Sequence, residues 1–323
     1  MILALIEQNE GKAIDSTWEV LTVGRRLAAQ LKEPLEALVI GHDVKNLADS
    51  LKEYGISQAW LAQDERLARY APAAQARIVA QFIQTKRPKA VLAAATERGN
   101  ETMAHVAAQL QLGLAANCTE VRPDGDSFSV TRLRWGGSLL EEARLLSAPK
   151  LLTIALHVTA AERAPVGDLR VEEFPVSVAD NDLRVRASQT IKTAKEGITL
   201  ADAKVVVGGG RGVGSADGFK TLEELAKLLG GAVGGTRVAT NSGWRPHSDQ
   251  IGQTGQQIAP DLYVACGISG AIQHIVGCKG AKKILVINKD PEAPFFSRAD
   301  YGVVGDLHQV IPALVEAIQQ AKQ

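Results

Sequence analysis

Short apolar runs alternate with amphipathic segments along the first half of the chain. The runs have the length of buried strands: ILALIE (2–7), LEALVIG (35–41), AWLAQ (59–63), KAVLAAAT (89–96) and LLTIALH (151–157). Segments between them, such as 17–32 and 72–87, place apolar residues three and four positions apart, as helices with one buried face do. This alternation predicts a mainly parallel sheet covered by helices on both faces.

The pattern breaks in the middle of the chain and then restarts. Residues 119–134 alternate in polarity around PDGD, which predicts an antiparallel hairpin added to the sheet, and residues 162–203 are mostly polar. The restart comprises strand-like KVVVGGG (204–210), LYVACG (262–267), KKILVIN (282–288) and YGVVGD (301–306), with helical patterns near 217–229, 270–278 and 307–321. The second half therefore predicts another, smaller α/β domain.

Chain length agrees with two domains. A chain of 323 residues is long for one domain and sufficient for two, each with its own core. We predict an amino-terminal α/β domain over 1–187, a linker over 188–203 and a carboxyl-terminal domain over 204–323. Both are expected to be Rossmann-like, with mainly parallel sheets flanked by helices.

Charge and cysteine content exclude several kinds of partner and site. The 36 basic and 36 acidic residues balance, whereas nucleic acid and anionic membranes attract a basic excess. Cys118, Cys266 and Cys278 lie far apart without a CxxC pair, which predicts no disulfide framework and no metal site, and suits a reducing compartment. The first residues lack a basic leader, and no apolar run is long enough to span a membrane. We expect a cytoplasmic protein, or a mitochondrial matrix protein if the chain is a processed product.

The glycine-rich segment VVVGGGRGVGS (205–215) follows a predicted strand, as phosphate-binding turns do. It misses the dinucleotide fingerprint, because Ser215 stands at the third glycine position and no acidic residue follows where a ribose would be bound. A tight turn without a ligand is the alternative interpretation. GISGAIQH (267–274) favours a ligand, because Ser269 and the amides after it would open a helix towards an anion.

A longer set of motifs in the second half resembles a known family. LYVACGISGAIQHIVGCKGAKKILVINKDPEAPFF (262–296), with GGGRG and GQTG before it and ADYGVVGDL after it, is similar to the flavin domain of the electron transfer flavoprotein alpha subunit. The similarity spans roughly 204–323, with the order and spacing of the motifs intact. The first half has the length and the alternation of strands and helices expected of the family's amino-terminal half.

The resemblance implies an extended FAD bound by the second domain. The residues at the family's FAD-contact positions are Arg211, Thr236, Arg237, Ile251, Gly252, Gln253, Thr254, Ser269, Gly270, Ala271, Ile272, Gln273, His274, Asn288, Asp306 and Leu307. Ser269 is expected to contact the pyrophosphate, Asn288 and Asp306 the adenosine half, and Thr254 the flavin N5. No catalytic residue is implied.

Two residues are expected near the N1–O2 edge of the flavin ring. Arg237 and His274 would place positive charge or a donor where the reduced ring accumulates charge, and a histidine packed in the core is the alternative for His274. Thr236 stands where serine is common and keeps the hydroxyl. Thr240 and Asn241 stand where Val-Asp is common, which leaves the tuning of the flavin open.

The function implied by the resemblance is that of the alpha subunit of a heterodimeric electron carrier, which performs no bond-making on a substrate. It would take electrons from flavin dehydrogenases and pass them to a quinone oxidoreductase or another acceptor. The partner would be a beta subunit that carries AMP or a second FAD, docked on the first domain. An NAD(P)-dependent dehydrogenase and a nucleotide-binding module without redox activity are the alternatives.

Overall fold

The chain divides into two compact units in a computed structural model that describes residues 1–188, 198–200 and 202–322. Of these residues, the first unit holds 1–135 and 139–188, and the second holds Gly136–Ser138 and those from 198 onward. The predicted linker lies largely outside the described residues, so the predicted domain boundaries stay a prediction.

The first unit contains strands, numbered here in chain order, and helices between them. The described strands are Ile2–Ile6 (β1), Gln8–Asn9 (β2), Lys12–Ala13 (β3), Leu35–Gly41 (β4), Gln58–Gln63 (β5), Ala90–Ala94 (β6), Leu114–Asp124 (β7), Ser127–Arg134 (β8), Leu139–Leu145 (β9), Lys150–Ile154 (β10) and Arg170–Glu173 (β11). The described α-helices are Asp15–Leu31 (α1), Lys45–Leu51 (α2), Pro72–Lys86 (α3) and Glu97–Leu110 (α4).

One large sheet organises the first unit. Its strand order is β11-β5-β4-β1-β6-β10-β7-β8-β9, and β2 pairs with β3 in a separate ribbon. The strands from β11 to β7 pair in parallel, whereas β8 is antiparallel to both β7 and β9. The predicted hairpin is confirmed, with Val121 opposite Val130. The sequence did not predict β9, because LLEEARL (139–145) lacks clear alternation.

Helices pack on both faces of this sheet, as predicted. Every residue of β1 is buried, and alternate residues point into different clusters. Ile2 and Ile6 belong to the cluster that contains Leu21 of α1, whereas Leu3 belongs to the cluster that contains Phe82 of α3. A strand buried on both faces must be apolar throughout, which is why ILALI contains no polar residue.

The second unit repeats this construction on a smaller scale. Its described strands are Val205–Gly209 (β12), Ala232–Gly235 (β13), Leu262–Cys266 (β14), Ile284–Asn288 (β15) and Tyr301–Val304 (β16), and its α-helices are Phe219–Leu228 (α5), Arg237–Asn241 (α6), Ile272–Cys278 (α7) and Leu307–Ala321 (α8). All neighbours pair in parallel in the order β13-β12-β14-β15-β16. The predicted Rossmann-like fold class is confirmed.

The chain reverses its direction of travel across the second sheet at β12. It passes from β12 to β13 on one side and then to β14 on the other side. Ligands of open α/β sheets bind at such a reversal, beyond the carboxyl ends of the strands. The fold therefore places a candidate site where the turns after β12 and β14 meet.

None of the described helices is both long and apolar enough to cross a membrane. The three cysteines are buried and free.

Candidate functional site

A cleft of about 740 Å³ lies at the carboxyl edge of the second sheet. Its walls come from the turns that follow four neighbouring strands, represented by Thr236 after β13, Arg211 after β12, Ser269 after β14 and Asn288 at the end of β15. The loop 250–254 contributes a further wall. The volume is in the range of about 300–1,000 Å³ that is usual for small-molecule and cofactor sites.

The structure brings most of the predicted contact residues together. Those that line the cleft are Arg211, Thr236, Arg237, Ile251, Gly252, Gln253, Thr254, Ser269, Ala271, Gln273, His274 and Asn288. Gly270, Ile272, Asp306 and Leu307 are not among the lining residues of the cleft. The Asp306 carboxylate instead accepts a hydrogen bond from the His308 backbone N–H at 2.9 Å and so caps α8, and Leu307 is buried in the core.

Sequence reasoning missed several lining residues. They are Gly212, Val238, Gln250, Gly267, Ile268, Lys289, Asp290, Ala293 and Pro294. Most of them are direct neighbours of the recognised motifs in GGGRG, GISG and INKDPEAP, so motif proximity was the available signal. Gln250 is different, because it lies two residues before GQTG and its burial depends on contacts that are distant in sequence.

Glycines allow the turns after β12 and β14 to approach each other. A Cβ added to Gly212 would lie 2.7 Å from Gly267 Cα, and one added to Gly210 would lie 2.5 Å from the Gly267 carbonyl oxygen. Gly267 itself has a φ of +60°, which favours glycine. Side chains at these positions would push the turns apart, so the glycines allow the two turns to lie against each other at the edge of the cleft.

Positive charge dominates the lining of the cleft. The lining contains three cationic side chains, those of Arg211, Arg237 and Lys289, and one carboxylate, that of Asp290. Within the described residues, none of the three cations has an ion pair. This donor set fits the two negative charges of a pyrophosphate group.

The loop that bears Thr254 is fixed from several sides. The Ile251 N–H donates to the Gly235 carbonyl at 2.9 Å, at the end of β13. Before the loop, the Arg245 guanidinium pairs with the fully buried Asp249 carboxylate at 2.7 Å. These contacts make the loop a firm wall of the cleft.

His274 has both ring nitrogens in use. One, Nδ1, lies 3.0 Å from the Ile251 carbonyl oxygen, which can only accept, so Nδ1 carries the hydrogen. The other, Nε2, then accepts from the Tyr263 hydroxyl at 2.8 Å. Burial lowers the pKa of His274 to about 4, against a smaller raising effect of the bond to Ile251. The imidazole is therefore neutral in the structure. It lines the cleft, and its contact with FAD stays a prediction.

The side chain of Asn288 connects two turns. Its Nδ2 donates to the Ile268 carbonyl at 3.0 Å, and its Oδ1 accepts from the Asp290 N–H at 3.1 Å. The amide thus shapes the rim of the cleft between β14 and β15. Its expected contact with an adenosine group stays a prediction.

Comparison with known proteins gives matches over both units. The profile of the electron transfer flavoprotein domain matches residues 2–179. The profile of the electron transfer flavoprotein FAD-binding domain matches residues 199–279, which include most of the cleft.

Similar full-length proteins come from several bacteria. The chain is 36% identical over 319 residues to electron transfer flavoprotein subunit alpha of Thermoanaerobacterium thermosaccharolyticum, covering 98% of this chain and 97% of that protein. It is 38% identical over 327 residues to the protein of the same name from Megasphaera elsdenii, covering 99% and 97%. It is also 38% identical over 320 residues to Protein FixB of Clostridium saccharobutylicum, covering 98% and 95%.

Proposed function

Because this chain belongs to the electron transfer flavoprotein alpha-subunit family, we propose that it is the alpha subunit of a heterodimeric electron carrier. The predicted family and the predicted cofactor, FAD, are confirmed by the matched FAD-binding domain. In this function the chain receives electrons from flavin dehydrogenases and passes them to a quinone oxidoreductase or another acceptor. A beta subunit that carries AMP or a second FAD is its proposed partner, docked on the first unit.

The observation that carries the proposal is the cleft at the strand reversal of the second sheet. It combines closely packed glycine turns with an excess of cationic side chains, and most of it lies inside the matched FAD-binding domain. Arg211, Arg237 and Lys289 would hold the pyrophosphate, and the loop 250–254 would contact the flavin. The flavin would supply the electron chemistry, while the residues of the chain bind and orient it.

The lining groups support an electron carrier better than an enzyme with its own substrate. The titratable side chains at the cleft are Arg211, Arg237, Lys289, Asp290 and His274. Three of them are cationic, and the imidazole already has a partner at each nitrogen. This arrangement favours binding of a polyanionic cofactor over proton transfer to a substrate.

Purification of the chain with its co-expressed beta subunit tests the function. We expect mass analysis of the released flavin to identify FAD, and absorbance to show that a substrate-reduced flavin dehydrogenase reduces it. Addition of an electron acceptor should restore the oxidised spectrum. Release of FMN or of no flavin would contradict the cofactor assignment, and FAD that no flavin dehydrogenase reduces would contradict the carrier function.

A further inference from the structure

Three side chains form a hydrogen-bond chain behind the cleft. Thr240 of α6 and Gln250 are buried, with 3% and 5% of their surface exposed. Thr240 Oγ1 lies 2.9 Å from Gln250 Oε1, and Gln250 Nε2 lies 2.9 Å from the Thr254 hydroxyl oxygen. Because Thr254 lines the cleft, these hydrogen bonds connect the buried face of α6 with a surface that a ligand would touch.

The direction of donation along this chain decides what Thr254 offers to a ligand. In the structure the Gln250 amide has its oxygen towards Thr240 and its nitrogen towards Thr254. Thr240 then donates to Gln250 Oε1 and Gln250 Nε2 donates to Thr254, so the Thr254 hydrogen is free to point into the cleft. If the amide turns over, its nitrogen donates to Thr240 and its oxygen accepts from Thr254. Thr254 then presents only lone pairs to the cleft.

Thr240 makes both arrangements possible. Its hydroxyl lies 3.2 Å from the Arg237 carbonyl oxygen as well as 2.9 Å from Gln250. When Thr240 accepts from the turned amide, it donates to Arg237 instead. Both arrangements give the buried hydroxyl and amide hydrogen-bond partners, so no buried polar group is left unpaired, which would be the main obstacle to turning.

We propose that Gln250 is a positioning residue that matches the hydrogen-bonding polarity of Thr254 to the oxidation state of the flavin, by turning its amide between Thr240 and Thr254. The inference rests on the proposed function. Flavin N5 is the ring atom whose character reverses: it accepts in the oxidised ring and carries a hydrogen after the ring gains two electrons and a proton. A hydroxyl with reversible polarity suits this atom, whereas a fixed donor would serve only the oxidised ring.

The test uses the full chain with its co-expressed beta subunit, loaded with FAD that is labelled with ¹⁵N at N5. NMR of the label reports a hydrogen bond at N5 in the oxidised protein and again after reduction by dithionite. In the wild type we expect a hydrogen-bonded N5 in both states. In Gln250→Glu at alkaline pH, the carboxylate only accepts and so holds the Thr254 hydrogen. The oxidised N5 should then lose its hydrogen bond while the reduced N5 keeps its own.

Two controls separate this effect from charge and from misfolding. Gln256→Glu adds the same charge at an exposed side chain outside the cleft lining and should move neither resonance. Thr240→Val removes the hydroxyl that supports both arrangements and should move both resonances, and Thr240→Ser should restore them. If Gln250→Glu fails to fold, the comparison of Thr240→Val with Thr240→Ser is the test: N5 resonances that are the same in these two variants would overturn the role of the Thr240 hydroxyl and of the amide that it supports. In Gln250→Glu and Thr240→Val the affinity for FAD should fall by no more than about tenfold, because one neutral hydrogen bond is lost.

The outcomes distinguish this inference from the proposed function. A wild-type complex that binds no FAD would contradict both. Bound FAD whose oxidised N5 resonance is the same in Gln250→Glu and in the wild type would overturn the role of Gln250 alone. Equal movement of both resonances in Gln250→Glu would overturn it too, because a general distortion does not select one oxidation state.

Discussion

At the residue scale, burial decides the chemistry of His274. The imidazole is 6% exposed and lies between the Ile251 carbonyl and the Tyr263 hydroxyl. Both partners fit the neutral ring with its hydrogen on Nδ1, and burial disfavours the cation. In the structure His274 is therefore a neutral ring that supports the loop at Ile251.

This protonation state predicts a pH dependence of stability. The pKa of His274 is lowered to about 4 in the folded chain, so the unfolded chain takes up the proton first as the pH falls below about 6.5. The contribution of the neutral imidazole to the free energy of unfolding is complete above the pKa that His274 has in the unfolded chain, and it is lost as the pH falls towards 4. We expect the free energy of unfolding to decrease by about 3 kcal/mol over this range because of His274.

Urea unfolding of the wild type and His274→Asn at pH 7 and pH 4.5 measures this contribution. The difference in unfolding free energy between the two proteins should shrink at the lower pH, because the variant has no imidazole to protonate. Direct NMR titration of His274 should give a pKa of about 4. A difference between the proteins that is independent of pH would show that the folded chain accepts a protonated His274.

At the element scale, the approach of two turns builds the floor of the cleft. The turn between β12 and α5 contacts the turn after β14, where the Gly212 N–H donates to the Gly267 carbonyl at 3.0 Å. The absence of a Cβ at Gly212 permits this distance. Leu222 of α5 and Ile311 of α8 belong to the same buried cluster as Val207 of β12.

Gly212→Ala should disturb both the stability and the ligand site. The added Cβ would meet the Gly267 backbone at 2.7 Å, which backbone movement must relieve, and overpacking of this kind costs about 1–3 kcal/mol. We expect a lower melting temperature and weaker FAD binding, measured by calorimetry. Gly167→Ala is the matched control, because an added Cβ there has no neighbour within 4 Å. Equal FAD affinity in Gly212→Ala and the wild type would contradict the role of this turn contact in forming the FAD site.

At the scale of the whole molecule, the ligand site lies in the second unit. Every residue that lines the cleft is a residue of the second unit. A cleft open on one side leaves part of a large cofactor in water, and we propose that the beta subunit covers it. We also propose the first unit as a docking surface, because none of its described residues lines the cleft.

The isolated chain should therefore bind FAD incompletely. Ligand stabilisation grows with the ratio of free ligand to Kd and reaches about 2.7 kcal/mol at a hundredfold excess over Kd, so weak binding gives little stabilisation. We expect the lone chain to purify with less than one FAD per chain and to melt at a lower temperature than the co-expressed complex. Light scattering and flavin absorbance check this. A lone monomer with one FAD and equal stability would contradict the heterodimer.

Local patterns were sufficient to predict most elements. Helices such as α3 and α8 show apolar residues at spacings of three and four, and strands such as β1 and β14 are short apolar runs, because these periods follow directly from backbone geometry. Among the elements that were not predicted, the strands β9 and β13 are short or weakly patterned: Ala232–Gly235 contains two glycines. Such strands form because neighbouring strands supply hydrogen bonds, which no local pattern records.

The sequence by itself determined the alternation of strands and helices, the glycine turns and the order of the motifs that identify the family and its cofactor. The tertiary structure alone decided the neutral state of His274, the use of Asn288 between two turns and the place of Gln250 behind Thr254. The physical reason is that periodicity and turn chemistry act between near neighbours in the chain. Protonation and hydrogen-bond polarity depend on burial and on partners from other strands, such as the Tyr263 hydroxyl, and folding alone brings these together.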